Sequence, residues 1–244
     1  MNEIQLRLTI RDIELLKDIY ANQFLSFYQI HEMHFPENKR PTVYNRLSKL
    51  IRGSILEATN VQLMCHHRRN ELIGVVYRLT KEGAKKLQDF SMTEDIQFNS
   101  VPVNMSCLYH DLLLTDVLRI FKRRWPELEM LNSKVHNQGL SFKERIPDGV
   151  LLNPRDKNKI ALELELTAKS ETRYRDIILS YRTSHDFEKV IYVVKDRSIQ
   201  KKLGGLITGF NGRYELGDNT DKFEFILLEA LIKPTKEVKY ELQA

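Results

Sequence analysis

Apolar positions along the first ninety residues recur at helical spacing, whereas from about residue 129 onward they gather into short runs that alternate with polar ones. After Thr9, the apolar residues Ile10, Ile13, Leu15, Leu16, Ile19 and Tyr20 predict a helix over 10–24 with Thr9 as its cap. Ser26 is placed to cap a second, shorter helix whose apolar side is Phe27, Ile30, Met33 and Phe35, and Pro36 stops it. Asn38-Lys39-Arg40-Pro41 reads as a turn. Thr42 then caps a third helix over 43–52, with Val43, Leu47 and Leu50 turned inward and Tyr44, Asn45, Arg46 and Lys49 left for another surface. Two strands, 55–64 and 74–79, are expected to pair as a hairpin around the loop 65–73, and Thr80 caps a closing helix over 81–90 that Gly83 weakens.

The second half reads differently. A helix over 110–124 ends at Trp125-Pro126, and strands are expected at 129–134, 146–152, 160–167 and 189–195, with helices over 171–184 and from 198. Strands interleaved with helices give an α/β class, α+β over the whole chain. The polar stretch 91–100 separates two expected domains, 1–92 and 101–244.

Charge sharpens the first domain. The chain carries +5 overall, and residues 1–90 hold fourteen Lys and Arg against ten Asp and Glu. Lys39, Arg40, Arg46, Lys49, Arg52, Arg68 and Arg69 crowd one stretch whose only acid is Glu57. Phosphate is the partner such a stretch suits, because each Lys or Arg on a phosphate releases condensed counterions. The order helix-helix-helix-strand-strand-helix resembles the winged-helix family, with residues 43–50 as the recognition helix and 65–73 as the wing. That resemblance implies double-stranded DNA binding, with Lys39, Arg40, Thr42, Tyr44, Asn45, Arg46 and Lys49 on bases or phosphates and Arg68 and Arg69 on the flanking backbone. A winged helix used only between proteins is the bland alternative.

Composition excludes several classes. Hydrophobic residues make up 42% and charged residues 29%, so the chain has the makings of an ordinary core rather than of disorder. Its two cysteines, Cys65 and Cys107, fall in different expected domains and support neither a disulfide framework nor a zinc site. His66-His67 lacks a third ligand at suitable spacing. No apolar run approaches the ~20 residues of a membrane span and no leader pattern opens the sequence, so a cytoplasmic protein is expected.

The chemistry-bearing residues lie in the second half. In the run Ile160-Ala161-Leu162-Glu163-Leu164-Glu165-Leu166-Thr167, positions i and i+2 share a face, so Glu163 and Glu165 project together. Two neighbouring carboxylates repel unless water, a base or a metal compensates. Pro147-Asp148-Gly149 stands fifteen residues before Glu163, at the head of the preceding strand, and a short connection brings Asp148 near Glu163. Such hard oxygen donors suit Mg²⁺ or Mn²⁺.

Pro147-Asp148, Glu163-x-Glu165 and Lys169 resemble the PD-(D/E)XK nuclease signature, covering about residues 105–230. The resemblance implies a restriction-endonuclease-like mixed-sheet domain in which Asp148, Glu163 and Glu165 hold the metal and, with Lys169, carry catalysis. Glu165 occupies the usual lysine position, so Lys169 or another base supplies the positive charge, or the water is activated otherwise. Joined to a winged helix, the pattern resembles the replication-relaxation family and the MOBC-class relaxases of mobilizable plasmids. That implies a metal-dependent endonuclease nicking one strand at a transfer origin, with relaxosome accessory proteins and a coupling ATPase as partners. Two other readings stay open: a replication or transcription regulator that has lost its chemistry, and a nuclease making double-strand breaks. Tyr174 and Tyr181, two turns apart on one helix, are the candidates for a covalent mechanism, and metal-assisted hydrolysis is the expected one.

Overall fold

The computed structural model describes residues 6–65, 71–90, 103–133, 146–155, 157–211 and 220–232. The chain divides into two compact units, Met1–Leu113 and Leu114–Ala244.

In the first unit, helix α1 (Ile10–Asn22) begins with a reciprocal cap: Asp12 donates its backbone N–H to Thr9 Oγ at 3.2 Å while its carboxylate accepts from the Thr9 N–H at 2.7 Å. Strand β1 (Leu25–Ser26) leads into α2 (Phe27–His34), whose cap repeats the device with Ser26 and Gln29. Helix α3 (Arg40–Arg52) starts before Thr42, the expected cap. Lys39 takes the cap position without a side-chain bond, and Pro41 sits in the first turn, where its missing N–H costs nothing. Val43, Leu47 and Leu50 face Leu15, Leu16, Ile19 and Ile30 in one apolar core.

Strands β2 (Leu56–Cys65) and β3 (Glu71–Leu79) form the expected antiparallel hairpin, and β3 begins three residues earlier than its periodicity indicates. β1 adds a third strand through Leu25↔Tyr77 and Ser26↔Val76. In α4 (Lys81–Phe90), Thr80 Oγ accepts from the Gly83 N–H at 2.9 Å. Gly83 is required by packing: a Cβ there would lie 2.1 Å from the Ile55 carbonyl oxygen. The division between the units falls within α5 (Leu108–Arg124), whose Leu108 and Leu112 join Phe24, Val61, Ile73 and Val76 in a second apolar cluster of the first unit.

The second unit is built on a five-stranded mixed sheet in the order β4 (Glu129–Asn132), β5 (Gly149–Leu152), β6 (Lys159–Glu165), β7 (Lys189–Val194), β8 (Phe223–Leu227). The β4·β5 and β5·β6 pairings are antiparallel, and β6·β7 and β7·β8 are parallel. The parallel pairings need crossovers, and α6 (Glu171–Thr183) and α7 (Arg197–Asn211) supply them; a short helix α8 (Leu228–Ile232) follows β8. β7 is buried from Val190 to Val194, as befits an apolar strand covered on both faces. This mixed α/β architecture agrees with the class expected from the sequence. No helix among the described residues is long and apolar enough to cross a membrane.

Candidate active site and nucleic-acid interface

The register of β5 on β6 sets the geometry of the acids. Gly149 pairs with Leu162 at the end of the β5·β6 ladder, and Asp148, one residue before it, comes beside the peptide between Glu163 and Leu164. Asp148 is anchored there, because its Oδ2 accepts the Leu164 N–H at 2.9 Å and its carbonyl accepts the Ser133 N–H at 3.2 Å.

Glu163 and Glu165 do share a face of β6, yet that face is not open to water. Glu163 is 3% exposed and Glu165 1%, and Leu162 and Leu164 on the opposite face are buried as well. Buried carboxylates need partners. The Tyr181 hydroxyl of α6 donates to Glu163 Oε1, and the Lys169 ammonium, at the turn into α6, pairs with Glu165 Oε1. Lys169 is itself held from α7, where Lys202 Nζ donates to the Lys169 carbonyl at 2.7 Å. The two ammonium groups lie 5.8 and 5.7 Å from the centroid of the Tyr174 ring. Burial pushes the Tyr174 hydroxyl above its ordinary pKa, and the charge of Glu165 adds to the shift.

Both tyrosines singled out for covalent chemistry are core residues, Tyr174 at 0% and Tyr181 at 1% exposure. Sequence reasoning placed them on one helical face but missed that this face covers the acidic strand. Lys202, 33 residues from Lys169, left no signal.

The three acids expected to converge on a metal do not form one cluster. Among the described residues no group of three His, Cys, Asp or Glu side chains is placed to hold an ion. Glu165 lies two residues beyond Glu163, about 7 Å along the strand, and its carboxylate is turned to Lys169. Asp148 stays beside β6 at Glu163 through the bond from the Leu164 N–H to its Oδ2. Two hard carboxylates meet the demand of Mg²⁺, which is commonly held by one or two carboxylates together with waters and substrate phosphates.

In the first unit, Lys39, Arg40, Thr42, Tyr44, Asn45 and Lys49 are all exposed, as expected of a recognition surface. The Tyr44 ring stacks on Phe27 with centroids 4.0 Å apart, and the Arg40 guanidinium lies 5.1 Å from the centroid of the Tyr28 ring. Ser48 and Arg52 extend the same exposed face. Arg46 departs from expectation. It turns inward, donating Nε–H to Asp12 Oδ1 at 2.8 Å, a second N–H to Asp12 Oδ2 and a third bond of 3.1 Å to the Arg7 carbonyl. Burial alone would raise the pKa of Asp12, but the bonds from Arg46 and Thr9 outweigh it and hold the carboxyl below its ordinary value. Arg68 and Arg69, with His66 and His67, lie outside the described residues.

Comparison with known proteins adds two similarities. The family model described as replication-relaxation matches residues 16–187, a span that runs from within α1 past the end of α6 and includes Asp148, Glu163 and Glu165. Among solved structures, the SdaI restriction endonuclease is similar at a TM-score of 0.30 and 10% identity, over 92% of this chain and 88% of that one. No curated protein matches the sequence.

Proposed function

Because the chain belongs to the replication-relaxation family, we propose that it is a plasmid mobilization relaxase, a metal-dependent endonuclease that nicks one DNA strand at a transfer origin. The observation that carries this reading is the bond from the Leu164 N–H to the Asp148 carboxylate, which sets that acid beside Glu163, with the Glu165–Lys169 pair at the end of the same strand. Asp148 and Glu163 would hold Mg²⁺ or Mn²⁺, while Glu165, the third acid of the motif, is tied to Lys169. A divalent ion so held would neutralise charge at the scissile phosphate and would make a water easier to deprotonate to the hydroxide that attacks phosphorus.

The remaining work falls to the chain itself. Lys169 carries positive charge to the end of β6, where the usual acid-x-lysine motif would deliver it from the strand, and offsets the negative charge that develops at phosphorus. Lys39, Arg40 and Lys49 on the exposed face of α3 hold phosphates, while Asn45 and Tyr44 reach base edges. Hydrolysis is the mechanism the burial of Tyr174 and Tyr181 favours, since neither phenol is offered to a DNA strand. Relaxosome accessory proteins and a coupling ATPase are the partners this role implies.

A second reading rests on the ion pair between Lys169 and Glu165: a DNA-binding replication or transcription regulator in which these charges serve the fold alone. Supercoiled plasmid bearing the cognate origin, incubated with protein and Mg²⁺ or Mn²⁺, separates the possibilities. Open circles support the relaxase, linear product points to a double-strand nuclease, and unchanged substrate in the presence of tight binding favours the regulator.

A further inference from the structure

Lys202 reaches the Glu165–Lys169 pair from α7, yet nothing in that pair balances its charge. Its ammonium donates to the Lys169 carbonyl at 2.7 Å and lies 5.7 Å from the centroid of the Tyr174 ring, which the Lys169 ammonium also approaches, at 5.8 Å. Two cations gathered at one ring repel each other, and only Lys169 has a counterion, in Glu165. Lys202 is exposed and makes no ion pair among the described residues. An ammonium carries three donors, of which the carbonyl takes one. The surroundings have the same sign. β6 and β7 run parallel, and the Lys195 N–H donates to the Glu165 carbonyl at 2.9 Å where they end, so the segments 169–176 and 195–202 leave neighbouring strand ends. Together they hold seven Lys and Arg against Glu171, Asp176 and Asp196. Glu171 is taken by Arg175, and Asp196 accepts the N–H groups of Ser198 and Ile199. Arg173, Lys195, Arg197 and Lys201 are exposed and, like Lys202, have no carboxylate partner among the described residues.

We propose that Lys202 binds a backbone phosphate of the DNA, as the leading contact of a second phosphate-binding surface that the second unit carries at the carboxyl ends of β6 and β7. The inference rests on the relaxase reading and adds to it a strand contact beyond those of α3. Phosphate oxygens accept charge-assisted bonds from an ammonium, and each such contact releases a condensed counterion. The carbonyl and the ring hold the Lys202 side chain in place before any ligand arrives, so less side-chain freedom is lost on binding than for an untethered lysine. The carboxyl ends of parallel strands are also where open sheets gather their ligand-binding groups. A phosphate at Lys202 lies beside Lys169, the group assigned to the charge that develops at phosphorus, so the contact would bring the strand to the chemistry.

The test titrates the full chain, as wild type, Lys202→Gln and Lys202→Arg, with fluorescein-labelled origin DNA at several salt concentrations. Glutamine can still offer an N–H to the Lys169 carbonyl but carries no charge, so a lysine that only braced the turn would be replaced without effect. The slope of log K against log salt should become shallower by about 1 in Lys202→Gln, the share of one phosphate, and Lys202→Arg should keep the wild-type slope. Equal slopes for wild type and Lys202→Gln overturn the proposal. Neutral methylphosphonates, which remove the charge of one phosphate at a time, locate the contact. At one position wild type should lose affinity and Lys202→Gln should not; a scan in which both proteins respond alike at every position overturns the proposal too. Supercoiled origin plasmid with Mg²⁺ or Mn²⁺ separates this inference from its premise. If wild type binds the plasmid and leaves it uncut, the relaxase reading fails, while a shallower slope in Lys202→Gln still upholds the phosphate contact. If wild type nicks and Lys202→Gln matches it in slope and scan, only the role of Lys202 fails.

Discussion

Arg46 of α3 closes a two-pronged ion pair on Asp12 of α1, across 34 residues of sequence, and Asp12 is the same residue that completes the helix cap with Thr9. One carboxylate thus starts α1 and fixes α3 against it. Asp12 is 1% exposed and the Arg46 side chain 22%, so the pair is largely withdrawn from water.

Arg46→Ala should therefore destabilise the first unit rather than act on DNA. Removing one partner of a buried pair costs about 3–5 kcal/mol, and the partial exposure of Arg46 brings the expected loss to about 2–3 kcal/mol. The pH dependence has a definite sign. The folded-state pKa of Asp12 lies below its ordinary 3.8, so the contribution is fully present above that value and fades as the pH falls through the folded value. Denaturant midpoints of wild type and Asp12→Asn should differ at neutral pH and draw together in acid. A difference that persists unchanged well below pH 3.8 would remove the ion pair from the account.

DNA affinity is expected to reside in the exposed cations of α3 and its entry turn. Lys39→Ala with Lys49→Ala should flatten the dependence of log K on log salt by about 2, close to one unit for each phosphate no longer neutralised. Thermal stability should not change, because both side chains are exposed and neither caps the helix with its side chain. Titrations by fluorescence anisotropy at several salt concentrations measure the slope. An unaltered slope would move the DNA surface to another part of the molecule.

Much of the first unit was legible because its instructions are local. Thr9, Ser26 and Thr80 announce helix starts within three residues of the groups they bind. The side of α3 that holds Arg46 was misjudged for the opposite reason: periodicity puts residue 46 between the buried stripe and the outer face, and its partner lies on another helix. β1 is two residues long and owes its existence to pairing with β3, so no run of its own could reveal it. In the second unit the alternation around Glu163 and Glu165 showed which side chains share a face. It could not show that α6 would cover that face, nor that tyrosine and lysine would take up the two carboxylates. Those facts depend on a parallel crossover, which a strand pattern does not encode.

Asp148→Ala should abolish nicking while leaving DNA binding at the wild-type level, since it removes an acid from the sheet and none of the cations of α3. The bond from the Leu164 N–H to the Asp148 carboxylate is lost, a cost of at most about 1–3 kcal/mol that a folded domain of this size can bear. In the same assay, end-labelled origin DNA denatured in detergent should release all label from the wild-type protein. Label retained by protein, and absent in Tyr174→Phe or Tyr181→Phe, would contradict hydrolysis.

Lys169 presents the sharpest choice between chemistry and architecture, because its ammonium is tied to Glu165 and both readings of the protein need that pair. Lys169→Met alone confounds them. It leaves a carboxylate at 1% exposure without its cation, and a loss of activity could follow from a loosened strand. Pairing the change with Glu165→Gln resolves the difficulty, since the double variant buries a neutral amide in place of an abandoned charge and should recover most of the stability that Lys169→Met forfeits. If Lys169 acts on the phosphate, the double variant melts near the wild-type temperature yet nicks about a hundredfold to a thousandfold more slowly, the usual cost of removing one group that stabilises transition-state charge. Glu165→Gln alone, with Lys169 intact, should stay the more active of the two. Should the stable double variant nick as fast as wild type, Lys169 serves only to neutralise Glu165, and the charge at phosphorus must be met by another group.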